Sequence, residues 1–207
     1  MWNYEKRLQF PIDIKTPNAE IAKIIISQYG GPDGELGASM RYLSQRYTIP
    51  YREVAGLLTD IGTEELAHFE MIGAIVYQLT KNLSIEEIEE QGFAPYYVDH
   101  TLALWPQAAG GIPFNSCQFQ SKGDAITDLF EDMAAEQKAR TTYDNILRLV
   151  KDPDVCAPIR FLRAREIVHF QRFGEALRMV QDRLDPVNFY QYNPEFDGRR
   201  NEKDCGK

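Results

Sequence analysis

Cysteine is scarce in this 207-residue chain: Cys117, Cys156 and Cys205 are odd in number, widely spaced and form no CxxC pair. That argues against a disulfide framework or a thiolate zinc site and points to a reducing, cytoplasmic setting. Apolar runs such as Ile24-Ile25-Ile26 and Ala74-Ile75-Val76 are short. None approaches the roughly 18 residues of a membrane-spanning helix. Met1 to Arg7 lack the basic-then-apolar order of a signal peptide. Positive charge is also in deficit. With 23 Lys and Arg against 31 Asp and Glu, the net charge is −8, which speaks against nucleic acid as a partner. No nucleotide or carbohydrate signature, internal repeat or low-complexity segment stands out.

What the chain has is helical periodicity. Residues 1–17 read as an extended arm, with Leu8, Phe10, Ile12 and Ile14 alternating and Pro11 and Pro17 barring a helix. Four helical patterns follow within a domain spanning 18–185. The first runs from Pro17-Asn18 towards Tyr47, interrupted by Gly30-Gly31-Pro32-Asp33-Gly34. The second runs from near Pro50 to Lys81. The third starts near Ser121, with Asp124 completing a rough capping box, and reaches Val150. The fourth runs from about Val155 to Leu184. Residues 186–207 form a polar tail.

Links one-to-two and three-to-four are short, so each pair forms an antiparallel hairpin. Residues 83–120 are long and rich in Pro, Gly and aromatics. Two hairpins joined by one long crossover describe an all-α, ferritin-like four-helix bundle.

Histidine is equally scarce. There are three, and two end an E-x-x-H: Glu65 with His68, and Glu166 with His169. On a helical wheel Glu65 and His68 join Leu58, Ile61, Phe69 and Ile72, while Glu166 and His169 join Ile159, Leu162, Phe170 and Phe173. Glu136 shares the stripe of Leu129, Ala139, Tyr143 and Leu147. Glu35 shares a face with Gln28, Ala38 and Tyr42 if the helical phase survives the Gly-Pro interruption. Acids aimed into a core are costly by several kcal/mol unless a cation compensates them. One inward set per helix matches the way carboxylate-bridged dinuclear iron or manganese sites are built, and a donor set without thiolate suits Mn or Fe.

Each position also has a blander reading. Glu136 could pair with Arg140 at the surface. Glu35 could simply satisfy free N–H groups at a helix start. Glu64 and Glu70 lie off the ligand stripe, as solvated or supporting acids. His100 reads as structural, and Glu86 to Glu90 as a solvated helical turn.

The chain resembles the non-haem manganese catalases, and within them the short branch found as a spore-coat protein. The resemblance covers residues 1–185 and is carried by Tyr29 to Leu36, by Asp60-Ile61-Gly62-Thr63-Glu64-Glu65-Leu66-Ala67-His68-Phe69-Glu70, by Glu136 and by Arg165 to Phe170. It implies that Glu35 and His68 bind one manganese, that Glu136 and His169 bind the other, and that Glu65 bridges them. Glu166 then acts as proton acceptor and donor instead of a ligand, and Tyr42 supports a terminal glutamate. Some members carry Arg where this chain has Ala135, implying a more open pocket here. Asp60 alone remains of a calcium site that longer members complete with a C-terminal extension.

The activity so implied is disproportionation of hydrogen peroxide by two manganese ions in a homo-oligomer, hexameric by resemblance and associated with spore-coat proteins. The crossover would pack subunits or line a channel. Two alternatives stand beside it: a di-iron peroxidase or ferroxidase on the same bundle, and a non-catalytic coat protein that keeps metal for stability.

Overall fold

In a computed structural model, residues 7–184 are described; the expected tail over 186–207 and the first six residues of the arm lie outside them. Among the described residues there are eight α-helices and no β-strand: α1 (Ala19–Ile25), α2 (Ser27–Gly30), α3 (Glu35–Gln45), α4 (Arg52–Thr80), α5 (Ile85–Glu90), α6 (Ala94–His100), α7 (Ala125–Leu149) and α8 (Pro153–Gln181). None is long and apolar enough to cross a membrane.

The interruption expected in the first pattern is real and divides it into α1, α2 and α3. Gly30 explains why. A Cβ there would lie 2.4 Å from the Pro106 carbonyl carbon, so only glycine lets the crossover backbone pass this close. Gly31 is similarly confined, 2.4 Å from the Ser27 carbonyl oxygen. The third pattern starts later than expected. Asp124 is itself the N-cap, accepting from Thr127 N–H at 2.7 Å, and α7 begins at Ala125. The acidic run falls in α5, whose Ser84 and Glu87 form a capping box, with Ile88 turned inward and the acids exposed. The crossover is thus part helical, with α5, α6 and a 3₁₀ turn at Ser116–Gln118. His100 stacks on Trp105 at 4.9 Å and stays outside the bundle interior.

Helices α3 and α4 form one hairpin and α7 and α8 the other; α4 meets α8 and α3 meets α7 across the bundle. The core has two apolar clusters. One gathers Met71, Ile72, Ile75, Tyr143, Ile159 and Leu162 with α1. The other gathers Tyr42, Leu58, Ile61, Leu129 and Phe173. Along α4, α7 and α8 the chain passes from one cluster to the other, and the polar residues fall between them.

The arm lies along the seam between α4 and α8. Ile14 is buried, and Leu8, Phe10 and Ile12 pack against the core. Gln78 of α4 accepts from Ile14 N–H at 2.7 Å and donates to the Ile12 carbonyl at 3.0 Å. Phe10 contacts Phe161 of α8, ring centres 5.1 Å apart.

Candidate metal centre

Glu35, Glu65, His68, Glu136, Glu166 and His169 are all at most 2% exposed. They converge as two groups of donor atoms, Glu35, Glu65, His68 and Glu166 in one and Glu65, Glu136 and His169 in the other, each within 4.8 Å. Glu65 belongs to both. Its Oε2 lies 2.7 Å from His68 Nδ1 and its Oε1 lies 2.7 Å from His169 Nδ1. The two imidazoles stand nearly parallel, centres 5.6 Å apart. Glu35 reaches His68 Nδ1 at 3.8 Å, and Glu136 reaches His169 Nδ1 at 3.6 Å.

The bland readings fail for Glu136, since it is buried and Arg140 pairs with Asp144 instead, at 2.6 Å. Glu35 does open α3, but its carboxylate turns inward to accept from the Tyr143 hydroxyl. Tyr42 donates in the same way to Glu136 Oε1. Each of these tyrosines therefore reaches across to a glutamate on the other hairpin.

Here lies a repeat that residue-level reading missed. Glu136, Tyr143, Glu166 and His169 stand 101 positions after Glu35, Tyr42, Glu65 and His68. The segments Glu65-Leu66-Ala67-His68-Phe69-Glu70-Met71-Ile72-Gly73 and Glu166-Ile167-Val168-His169-Phe170-Gln171-Arg172-Phe173-Gly174 align on Glu, His, Phe and Gly. That constant offset is the signal from which Tyr143 could have been found.

The halves differ beside this shared set. Glu64 and Arg165 are counterparts, and Arg165 binds Glu64 through Nε at 2.8 Å and Nη2 at 3.2 Å. The same carboxylate faces the outer nitrogens of both imidazoles, His169 Nε2 at 3.1 Å and His68 Nε2 at 3.6 Å. Glu64 thus hydrogen-bonds the His169 ring and lies within ion-pair reach of the His68 ring, whose Nε2 has no hydrogen-bond partner. With the outer nitrogens turned towards Glu64, both rings point Nδ1 inward, the atom that would bind a metal once its proton is lost.

The electrostatics follow from burial. Glu166 is held well above the ordinary carboxylate range by burial and by the charges of Glu136, Glu35 and Glu65. Burial, reinforced by Glu65 against the pull of His68, does the same to Glu35. Burial, opposed by His169 and reinforced by Glu65, raises Glu136. Burial also acts on Glu65, but the two imidazoles overcome it and hold this carboxyl below its usual range. Against burial, Glu65 and its neighbours lift His68 to about 10 and His169 to about 12. In the protein alone, protons do the work of missing positive charge.

The donor set fits divalent ions. Glu65 Oε1 and His169 Nδ1 are 2.7 Å apart yet form no aligned hydrogen bond, and Glu136 Oε2 and Glu166 Oε1 are likewise buried without partners. Such atoms are expensive to bury and become satisfied when they share a cation. Carboxylate and imidazole without sulfur suit manganese or iron.

Comparison with known proteins decides the family. The family described as "Manganese containing catalase" matches residues 1–200. The chain belongs to it. Among manganese catalases and their relatives it is 53% identical to Protein CotJC of Bacillus subtilis, over 92% of this chain and all of that one. It is 32% identical to a probable manganese catalase of Clostridium acetobutylicum, covering 88% and 82% of the two chains. The crystal structure of KatB, a manganese catalase from Anabaena, superposes with a TM-score of 0.82 at 29% identity, covering 90% of this chain and 84% of that one.

Two positions singled out by the resemblance to manganese catalases can now be located. Ala135 is buried one residue before Glu136. Asp60 is 70% exposed and faces Arg172 at 3.9 Å; among the described residues it joins no cluster of three or more donors.

Proposed function

We propose that this chain is a dimanganese catalase, converting hydrogen peroxide to water and dioxygen. The observation that carries the reading is the pair of buried donor groups sharing Glu65, in a chain of the manganese catalase family. Glu35 and His68 would hold one ion and Glu136 and His169 the other, with Glu65, common to both donor groups, available to each. When bound, the two manganese ions supply the two-electron redox change.

Proton traffic falls to the protein. Two peroxides give two waters and one dioxygen, so two protons go to one peroxide and two leave the next. Glu166, buried beside Glu35, Glu65 and His68, carries one proton at a time, giving it and later retrieving it in turn. Tyr42 and Tyr143 donate to Glu136 and Glu35 and fix the orientation of these end carboxylates. Ala135 leaves more room beside the centre than an arginine would. Peroxide is small and neutral, so no charged recognition motif is needed.

The working form is a homo-oligomer, hexameric by resemblance, with the crossover contributing to subunit packing. Association with spore-coat proteins follows from the resemblance to the short branch of the family.

Elemental analysis of protein produced with both manganese and iron supplied, together with oxygen release from peroxide, tests this reading. Manganese at two per chain and oxygen evolution without added reductant support it. Iron with dependence on an electron donor would favour a peroxidase. Bound metal without turnover would favour a structural coat protein.

A further inference from the structure

We infer that Gln9, in the N-terminal arm, is a positioning residue for the metal centre, acting through Glu64. This rests on the dimetal reading above and goes beyond it, because the arm contributes none of the proposed ligands.

Glu64 is the only side chain among the described residues that faces the outer nitrogens of both His68 and His169, at 3.6 and 3.1 Å. It sits at the protein surface, 16% exposed, where water competes for its oxygens. Two residues fix it from outside. Arg165 grips both oxygens from α8, and the Gln9 amide Nε2 donates to Oε1 at 2.8 Å from the arm. The arm is itself anchored nearby, with Phe10 against Phe161 and Gln78 bonded at both Ile12 and Ile14. Gln9 therefore carries the arm's docking onto one carboxylate, which hydrogen-bonds the His169 ring and faces the His68 ring. Without the amide, Glu64 loses one of its restraints, and the His169 ring bonded to it loses alignment.

Outer partners of metal-bound histidines are worth about 10- to 100-fold in metal affinity. Gln9 acts one bond further out, so its share is smaller. Manganese-loaded full-length protein would be challenged with excess EDTA and manganese release followed over time, alongside thermal melting of the metal-free form. Gln9→Leu keeps the size and removes the donor. Release should become about 3- to 10-fold faster with the metal-free melting temperature unchanged. Gln9→Arg restores a donor and should restore slow release. In a Glu64→Ala background, Gln9→Leu should add nothing.

Wild-type release from Gln9→Leu, slower release, failure of Gln9→Arg to rescue, or an undiminished Gln9 effect without Glu64 would each overturn the inference. If the wild-type protein bound no manganese, the dimetal reading itself would fall, a distinct result read before any variant is made.

Discussion

Glu64 and Arg165 hold the same place in the two halves of the bundle and bind each other across the α4–α8 seam, at 2.8 and 3.2 Å. Their pairing closes the approximate two-fold relation of the helices with one acid and one base. Single reversals, Glu64→Arg or Arg165→Glu, set like charges face to face and should weaken manganese retention by roughly 10- to 100-fold. The double exchange rebuilds the pair with a carboxylate at 165, again near both rings. It should recover retention to within about ten-fold of the wild type. Chelator competition on the three variants checks this.

Replacing Glu166 by Gln keeps the shape and removes the acid. Manganese content should stay at the wild-type level while oxygen release falls by about 10²- to 10⁴-fold. Elemental analysis and an oxygen electrode on the same sample separate the two effects, and undiminished turnover would remove Glu166 from the chemistry.

The acidity of the centre predicts opposite pH responses with and without metal. His68, lifted to about 10, and His169, to about 12, both sit above the ordinary 6.5. Their protonation stabilises the metal-free fold fully below pH 6.5, and that contribution is lost as pH rises through their folded values. Glu35, Glu136 and Glu166 are also raised and act with the same sign from about pH 4.5 upward. Glu65 is lowered, so its contribution is lost only in acid. Between pH 6.5 and 9 the metal-free protein should therefore melt at falling temperature. Manganese binding, which must expel those protons, should strengthen over the same window. Melting curves with and without chelator should diverge.

Gly30→Ala places a methyl group 2.4 Å from the Pro106 backbone. Backbone on both sides leaves nothing flexible to yield, so we expect a loss of about 3 kcal/mol or more in unfolding free energy. Urea unfolding of the metal-free protein measures it. Gly56→Ala, with open space around it, is the control and should stabilise slightly.

Much of this molecule was readable before any coordinates. The inward sets on four helices stood out because charged groups break an apolar stripe, and burial makes such breaks meaningful. The hairpin pairing followed from short links at either side of one long connection. The start of α7 was misplaced because Asp124 can be read either as the third helical residue of a capping box or as the cap itself. Local sequence does not separate those. Glu64 was set aside because it lies off the stripe, although its place beside the ring edges depends on how α4 meets α8. Gln9 was invisible for the same reason, since it lies 55 residues from its partner in sequence. The 101-residue register needed only counting, but the two halves share few identities beyond the motif itself.

That Glu65 serves both donor groups has a consequence for how the site is assembled. The first hairpin carries Glu35, Glu65 and His68, three of the four donors of one group, and the fourth, Glu166, comes from α8. The second site cannot exist until α7 and α8 have been made and docked. Docking of the two hairpins therefore completes both groups at once, with Glu65 as the residue they share.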